Sequence, residues 1–292
     1  MQSKLNKIAR DTNFFLKAFI KNQKKSNLIV PMSYGLFSGG KKIRSKILID
    51  CGKIFNVKYT KLIIIGAAVE CIHAYSLIHD DLPCMDNDKL RRGKLSTHAK
   101  FGESTAILAG NSLLTIAFEI LSHSKFKLDY KTKISLINLL SKCSGHSGIA
   151  GGQYSDLQFE GKRQSLRKIV DMQINKTGKL FSFCCIAPVI ISKKNKYIDL
   201  FDSIGSKIGL LFQIADDLID HTSSSKTAGK KTKKDLKRGK ATLISLLGYK
   251  NTVKYGNKLK LEIFSKINKL GDKNKDLKDI KKYILKRSKW IK

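Results

Sequence analysis

The chain carries, at residues 62–81, the sequence LIIIGAAVECIHAYSLIHDD. This stretch is apolar on nearly every side of a helix, which is the pattern of a helix that is buried all round. It ends in two carboxylates, Asp80 and Asp81, and Asp86 follows after Pro83 has interrupted the helical spacing. A carboxylate is costly away from water unless a partner compensates it. The stretch therefore predicts a helix of the core and a pair of acidic groups that needs a cation.

Helical periodicity continues along most of the chain. Apolar helical patterns cover residues 105–122, 132–143, 169–191 and 198–220. An amphipathic first helix is predicted from Leu5, Ile8, Thr12, Phe15 or Leu16, and Phe19, and the last pattern comprises Leu277, Ile280, Ile284 and Ile291. Strand-like alternation is found nowhere at length, and only three prolines interrupt the sequence. With 42% hydrophobic residues and no linker-like segment, residues 1–292 are predicted to form one all-α domain.

Two segments between the predicted helices are rich in glycine or in lysine. Gly151 and Gly152, which follow Gly145 and Gly148, form either a flexible loop or a place where two helices approach closely. Residues 223–239 are polar, rich in lysine and without periodicity, which indicates a mobile loop. Neither segment changes the predicted fold class.

A second acidic motif ends the pattern at residues 198–220. Asp216 and Asp220 are spaced i, i+4, so on a helix they project from one face and repel each other. Magnesium commonly binds one or two carboxylates together with substrate phosphate oxygens, at about 2.0 to 2.1 Å. One acidic motif alone is equally consistent with a solvated helix end, but two such motifs favour magnesium-dependent chemistry on a diphosphate.

Basic residues follow both acidic motifs. Arg91 and Arg92 come after the first motif, and Lys230 and Lys240 come after the second. Guanidinium groups suit bidentate binding of phosphate, so substrate oxygens are the favoured partners and ordinary surface charge is the alternative.

A turn with three cations occurs earlier, at residues 39–44, with the sequence GGKKIR. Together with Gly35 it mimics a P-loop, but Lys42 stands where Ser or Thr should hold magnesium and no βαβ pattern surrounds it. We therefore interpret the turn as a second diphosphate site. An EF-hand at Asp86 and Asp88 is excluded because Leu90 occupies the next ligand position.

The formal net charge of +34 by itself favours nucleic acid or an anionic membrane as a partner. The basic residues are mostly lysines scattered among Ile and Asn, which is typical of AT-rich codons, so we expect a solvated surface and no specific nucleic acid. The six cysteines form no C-x-x-C pair, which indicates free thiols and argues against zinc. Without a signal peptide or an apolar stretch long enough to span a bilayer, we expect a cytoplasmic protein.

The sequence resembles the trans-isoprenyl diphosphate synthases, and among them the bacterial farnesyl diphosphate synthases, over essentially its whole length. The resemblance is carried by residues 39–44 (GGKKIR), 70–86 (ECIHAYSLIHDDLPCMD), 90–93 (LRRG), 176–178 (KTG) and 212–220 (FQIADDLID), together with Lys230 and Lys240. It implies a bundle of helices around a deep central cavity, which usually forms a homodimer. It also implies several Mg²⁺ ions in each active site.

The resemblance assigns roles to individual positions. Asp80, Asp86 and Asp216 would hold magnesium on an allylic diphosphate, with Asp81, Asp217 and Asp220 in support. Contacts to the allylic substrate would come from Arg91, Lys176, Thr177, Gln213, Lys230 and Lys240. Isopentenyl diphosphate would bind Lys41, Arg44, His73 and Arg92, although the alternative for His73 is a core histidine. The implied reaction joins isopentenyl diphosphate to dimethylallyl or geranyl diphosphate and releases diphosphate.

Four positions depart from the pattern of these enzymes. Ser45 replaces the proline that usually follows the first arginine. Leu243 and Ile244 replace a Tyr-Pro pair, and Lys233 replaces a glycine of the lysine-rich loop. These changes bear on loop rigidity and lid closure, because the proposed metal ligands are intact.

Product length is predicted from the residues before the first motif. At about 1.5 Å per residue, Tyr75 lies roughly 7.5 Å along the helix from Asp80, where its ring, with Ser76 beside it, would block further prenyl units. The resemblance implies a product of fifteen carbons, because bacterial farnesyl diphosphate synthases pair an aromatic residue five positions before the motif with the Pro83-Cys84 insertion. The alternative is a purely structural core tyrosine. A geranylgeranyl diphosphate synthase is the rival activity. A terpene cyclase fits less well, because such enzymes generally pair one aspartate motif with an Asn/Ser/Glu triad.

Overall fold

A computed structural model describes residues 2–222, 239–271 and 282. Almost all of the regular structure in these residues is helical, which confirms the predicted all-α class. The α-helices are α1 (Gln2–Lys21), α2 (Ile29–Leu36), α3 (Ile43–Ile54), α4 (Tyr59–Asp80), α5 (Thr97–Phe101), α6 (Glu103–Ser122), α7 (Tyr130–Ser144), α8 (Ile149–Gln158), α9 (Leu166–Gln173), α10 (Lys179–Ile191), α11 (Ile198–Thr222) and α12 (Leu243–Asn268).

Contacts divide the chain into two compact units. The first comprises residues 1–49 and 57–137, and the second comprises residues 50–56 and 138–292. The organisation of residues 1–292 as one domain stays a prediction. The C-terminal pattern from Leu277 and the predicted loop at 223–239 lie outside the described residues, except for Gly239.

The first unit is built around α4, the helix predicted at residues 62–81. Its residues Leu62 and Ile65 are at most 1% exposed, and α4 packs against α6, which contributes Ala106, Ala109 and Leu113 at 0% exposure. Burial on so many sides explains why this helix has no polar face.

The amphipathic helix α1 also packs on α4. Its buried residues are Leu5, Ile8, Thr12, Leu16 and Ile20. The predicted periodicity is therefore confirmed, with Leu16 rather than Phe15 in the core and Ile20 in place of Phe19.

Two very short strands form the only sheet among the described residues. Strand β1 (Leu90–Arg91) pairs antiparallel with β2 (Lys94–Leu95), so that Leu90 lies opposite Leu95. Arg92 and Gly93 between them have φ angles of 55° and 77°. Positive φ at both central residues is what a tight two-residue hairpin requires. The sequence did not predict this hairpin.

In the second unit the predicted helix at residues 169–191 is interrupted. Helix α9 runs into a π-helical turn, Ile174–Gly178, before α10 begins at Lys179. Helices α10 and α11 then pack so closely that a Cβ atom at Gly205 would lie 2.5 Å from the Ser182 Cα. Of the two interpretations of Gly152, close approach is the one found, because it lies inside α8 with Lys176 backbone atoms next to it.

Three helical stretches are long and apolar enough to cross a membrane, namely Tyr59–Asp80, Glu103–Ser122 and Leu166–Ile191. The expectation that no stretch reaches this length is therefore wrong. In the most apolar window of each, 72%, 44% and 67% of the residues are buried inside the protein. In the first and third stretches, most of that apolar window therefore forms core.

Replacing Gly205 by alanine tests the close packing of α10 and α11. The added methyl group has backbone atoms within 2.5 to 2.8 Å, so the helices must separate. We expect Gly205→Ala to lower the free energy of unfolding by about 1–3 kcal/mol in urea denaturation. Ser203→Ala on the same helix is the control and should change it by less than about 0.5 kcal/mol. Equal stability of the two variants would contradict the packing.

Candidate active site

The first acidic motif lies where α4 ends and the chain turns back on itself. Asp80 is the last residue of α4, and its carbonyl oxygen accepts a hydrogen bond from the Asp86 amide at 2.8 Å. The Asp88 amide donates in the same way to the Asp81 carbonyl oxygen at 3.0 Å. This turn brings Asp86 back beside Asp80, and both side chains remain partly exposed.

Asp81 differs from its two neighbours because it is only 2% exposed. The Arg91 guanidinium donates to both of its carboxylate oxygens, with Nε at 3.0 Å from Oδ1 and 3.2 Å from Oδ2. Burial raises the pKa of Asp81, and Arg91 acts in the opposite direction. The hairpin formed by β1 and β2 supplies Arg91, so this ion pair ties the hairpin to the end of α4.

Arg92 points to a different group of residues from Arg91. Its guanidinium donates to the Gly39 carbonyl oxygen and lies 3.5 Å from the Ser38 hydroxyl. A Cβ atom at Gly40 would meet the guanidinium at 2.7 Å, and Gly40 has a φ of 108°. Glycine at this position thus allows the arginine to rest against the turn.

The turn at residues 39–44 connects α2 to α3. Lys41 is exposed and Arg44 is partly exposed, so both can reach a ligand. Residues 29–36 before the turn form a helix rather than a strand, which excludes the P-loop interpretation.

His73 lies in α4, and its charge state is set by its surroundings. Burial lowers its pKa well below the usual value, and the positive charges of Arg44, Arg92, Lys42 and Arg91 lower it further. His73 is therefore neutral at pH 7. Arg44 and Arg92, two other predicted ligands of the second diphosphate site, therefore lie close enough to His73 to lower its pKa.

The second acidic motif lies near the end of α11. Asp216 is partly exposed, whereas Asp217 and Asp220 are 5% and 8% exposed. Asp217 accepts hydrogen bonds from the Gln173 side chain at 3.1 Å and from the Gln213 side chain at 2.8 Å. The oxygen of Gln213 accepts in turn from the Thr177 hydroxyl at 3.1 Å. The predicted residues Thr177 and Gln213 are thus joined to the acidic motif.

Asp156 lies close to this group, and sequence reasoning did not identify it. Its Oδ2 atom lies 2.6 Å from the Lys176 ammonium and 3.3 Å from the Lys240 ammonium. Burial acts to raise the pKa of Asp156, but the two lysines outweigh it and lower the pKa. The three side chains line one cleft with Gln213 and Asp217. Lys230 lies outside the described residues.

The donor groups of both motifs suit magnesium. Each motif offers carboxylate oxygens, of which Asp80, Asp86 and Asp216 are partly exposed. Within the described part of the chain, no three acidic, histidine or cysteine side chains are gathered as a ready metal site. A magnesium ion needs only a few oxygen ligands from the protein when the phosphate oxygens of a substrate supply the remaining ligands.

Comparison with known proteins places the chain in a family. Residues 25–284 match the polyprenyl synthetase family, and the chain belongs to that family. It is 39% identical to farnesyl diphosphate synthase of Micrococcus luteus, with 91% of each chain covered. It is 37% identical to the farnesyl diphosphate synthase of Escherichia coli, over 94% of this chain and 98% of the relative.

A solved structure with the same fold has bound ligands. It is a geranyltransferase from Helicobacter pylori complexed with magnesium and isoprenyl diphosphate. The TM-score is 0.84 at 31% sequence identity, with 97% of each chain covered.

The charge balance at Asp156 can be tested with Asp156→Asn. The amide keeps the size of the side chain but removes the negative charge between Lys176 and Lys240, so we expect a loss of about 2 kcal/mol in unfolding free energy at pH 7. Folding lowers the pKa of Asp156 below its ordinary value of 3.8. The contribution of its carboxylate to the free energy of unfolding is therefore fully present above pH 3.8 and is lost as the pH falls through the folded-state pKa. Urea denaturation at several pH values measures both effects.

Asp171→Asn is the matched control for this change. Asp171 is 63% exposed, with Arg167 at 3.8 Å, so its replacement should alter stability by less than about 0.5 kcal/mol. A difference between wild type and Asp156→Asn that does not shrink in acid would contradict the role of the carboxylate charge.

Proposed function

We propose that this chain condenses isopentenyl diphosphate with dimethylallyl or geranyl diphosphate, head to tail and in trans geometry, to give farnesyl diphosphate and diphosphate. The observation that carries the proposal is the presence of two acidic motifs in a polyprenyl synthetase, each at the end of an apolar helix and each accompanied by cations. Both substrates are anionic, which accounts for the basic residues that accompany the two acidic motifs.

The allylic diphosphate is assigned to the two acidic motifs. Asp80, Asp86 and Asp216 would hold magnesium, with Asp81, Asp217 and Asp220 as supporting carboxylates. Several bound Mg²⁺ ions would neutralise the charge that develops on the leaving diphosphate. Arg91, Lys176, Thr177, Gln213, Lys230 and Lys240 would contact the same substrate.

The chemistry requires one carbon–oxygen bond to break and one carbon–carbon bond to form. The allylic C–O bond ionises, and its electron pair leaves with the diphosphate. The alkene of isopentenyl diphosphate attacks the resulting allylic cation, and the proton lost from the adduct goes to the departing diphosphate. Lys176 and Lys240 would stabilise the leaving group, and their ammonium groups, which Asp156 holds, support this role.

Isopentenyl diphosphate is assigned to Lys41, Arg44, His73 and Arg92. A guanidinium can donate two parallel hydrogen bonds to phosphate oxygens, which fixes the orientation of the substrate. Neutral His73 adds a hydrogen-bond donor without adding another charge to the cluster of cations. We also propose a cytoplasmic homodimer without a specific nucleic-acid partner.

The assay for this function uses purified protein, both diphosphate substrates and magnesium, with product analysis by chain length. We expect Asp80→Ala and Asp216→Ala each to lower kcat by at least about 100-fold, because each removes a group that stabilises the leaving diphosphate. Asp171→Ala, a change at an exposed carboxylate, is the control and should keep wild-type activity. No isoprenoid product from the wild-type protein would overturn the proposal.

Tyr75 is proposed to set the product length, with Ser76 next to it. The tyrosine is 8% exposed, and its ring meets the His79 ring edge-on at 5.4 Å between centroids. A ring held in this way can act as a fixed barrier, because it cannot swing aside without breaking the contact. The limit of fifteen carbons is supported by relatives at 39% and 37% identity, which are farnesyl diphosphate synthases.

Tyr75→Ala tests this assignment. Removal of the ring should shift the main product from fifteen to twenty or more carbons, as measured by chromatography of the dephosphorylated products. Tyr75→Phe keeps the ring and should keep the fifteen-carbon product. If the alanine variant remains active with an unchanged product, the tyrosine is a core residue only. A twenty-carbon main product from the wild type would favour the geranylgeranyl activity.

A further inference from the structure

Glu70 is a buried carboxylate in the middle of α4 to which the proposed reaction assigns no role. It is 3% exposed, and its neighbours Val69 and Cys71 on the helix are fully buried. A carboxylate in such surroundings is costly unless it is both paired and hydrogen-bonded. The residues that bind its two carboxylate oxygens therefore indicate the role of Glu70.

Both oxygens contact residues at the start of α3. The Lys42 ammonium lies 3.4 Å from Oε2, and the two side chains are 6% and 4% exposed. The Ser45 hydroxyl donates to Oε1 at 3.0 Å, and Ser45 is fully buried. Glu70 thus binds the residues on either side of Ile43 and Arg44.

The backbone of this segment needs such an anchor. Lys42 has a φ of 48°, a left-handed conformation that residues with a Cβ atom rarely adopt. Its carbonyl oxygen accepts the hydrogen bond from the Lys46 amide at 3.1 Å that opens α3. Gly39 and Gly40 before it also have positive φ angles. The buried ion pair with Glu70 fixes Lys42 in this conformation.

A small residue on α4 permits the close contact. A Cβ atom at Gly66 would lie 3.0 Å from the Ser45 hydroxyl, which is also 3.4 Å from the Gly66 carbonyl oxygen. The first turn of α3 therefore rests directly on α4.

Glu70 also connects the turn to the histidine of the same site. His73 follows Glu70 by three residues on α4, so both side chains lie on one side of the helix. Lys41 precedes the anchored Lys42, and Arg44 precedes the anchored Ser45. A displacement of either anchor would move one of these two cations relative to His73.

We propose that Glu70, acting through Lys42 and Ser45, is a positioning residue that holds residues 39–44 in the geometry that binds isopentenyl diphosphate. The inference rests on the proposed function and deepens it. Lys42 is then an internal anchor, whereas its neighbour Lys41 is a ligand. Ser45 is the second anchor.

The test compares the KM values for the two substrates in steady-state assays. Glu70→Gln should raise the KM for isopentenyl diphosphate about tenfold or more, because it leaves the Lys42 charge without its buried partner. Ser45→Ala should raise it about fivefold through loss of one hydrogen bond to a charged group. The KM for geranyl diphosphate should stay within about twofold in both variants. Glu119→Gln, at an exposed glutamate, is the control and should change neither KM.

A double variant separates positioning from loss of stability. Lys42→Gln in the Glu70→Gln background removes the unpaired charge, so the KM for isopentenyl diphosphate should return towards the wild-type value. A purely structural role would lower the melting temperature and the fraction of active enzyme without raising one KM selectively. If Glu70→Gln does not fold, Ser45→Ala carries the test, since it removes only a hydroxyl group.

The outcomes are distinguishable. Equal changes in both KM values, or no change in Ser45→Ala, in an active enzyme would overturn the positioning role and leave the proposed function intact. A wild-type protein that makes no isoprenoid product would overturn the proposed function, and the inference with it.

Discussion

Three buried carboxylates each hold a basic side chain, and the arrangement of both candidate sites depends on these pairs. Asp81, Glu70 and Asp156 are 2%, 3% and 5% exposed. A carboxylate removed from water without a partner would become protonated or force the helix open. Each pair therefore has to form when the chain folds, and each fixes a cation in place. The partners are Arg91 for Asp81, Lys42 for Glu70, and Lys176 with Lys240 for Asp156.

The sequence predicted the helices well because burial leaves a direct trace in the pattern of apolar residues. The stretch at 62–81 corresponds to α4 at Tyr59–Asp80, and the pattern at 198–220 corresponds to α11 at Ile198–Thr222. The hairpin at Leu90 was missed because each strand has only two residues, too few for an alternating pattern. The π-helical turn was missed because it lies inside one continuous helical stretch, Leu166–Ile191, so no loop residues mark it in the sequence.

Some residues of the candidate site could likewise be recognised from the sequence, and others could not. Motifs such as Asp80 with Asp81 were recognisable because the groups that act together are neighbours along the chain. Glu70 and Asp156 were not, because their partners are distant along the chain: Ser45 is 25 residues from Glu70, and Lys240 is 84 residues from Asp156. A single acidic residue on an apolar helix does not reveal which cation will meet it.

The π-helical turn at Ile174–Gly178 separates two helical registers. A π turn takes in one residue more than an α turn, and one residue corresponds to about 100° of rotation around a helix axis. Lys176 and Thr177 lie inside this turn, where they reach Asp156 and Gln213, while α10 beyond it presents its own faces to α11. The extra residue thus gives Lys176 and Thr177 a different orientation around the axis from the residues of α10. One helical stretch can in this way serve both the cleft and the core.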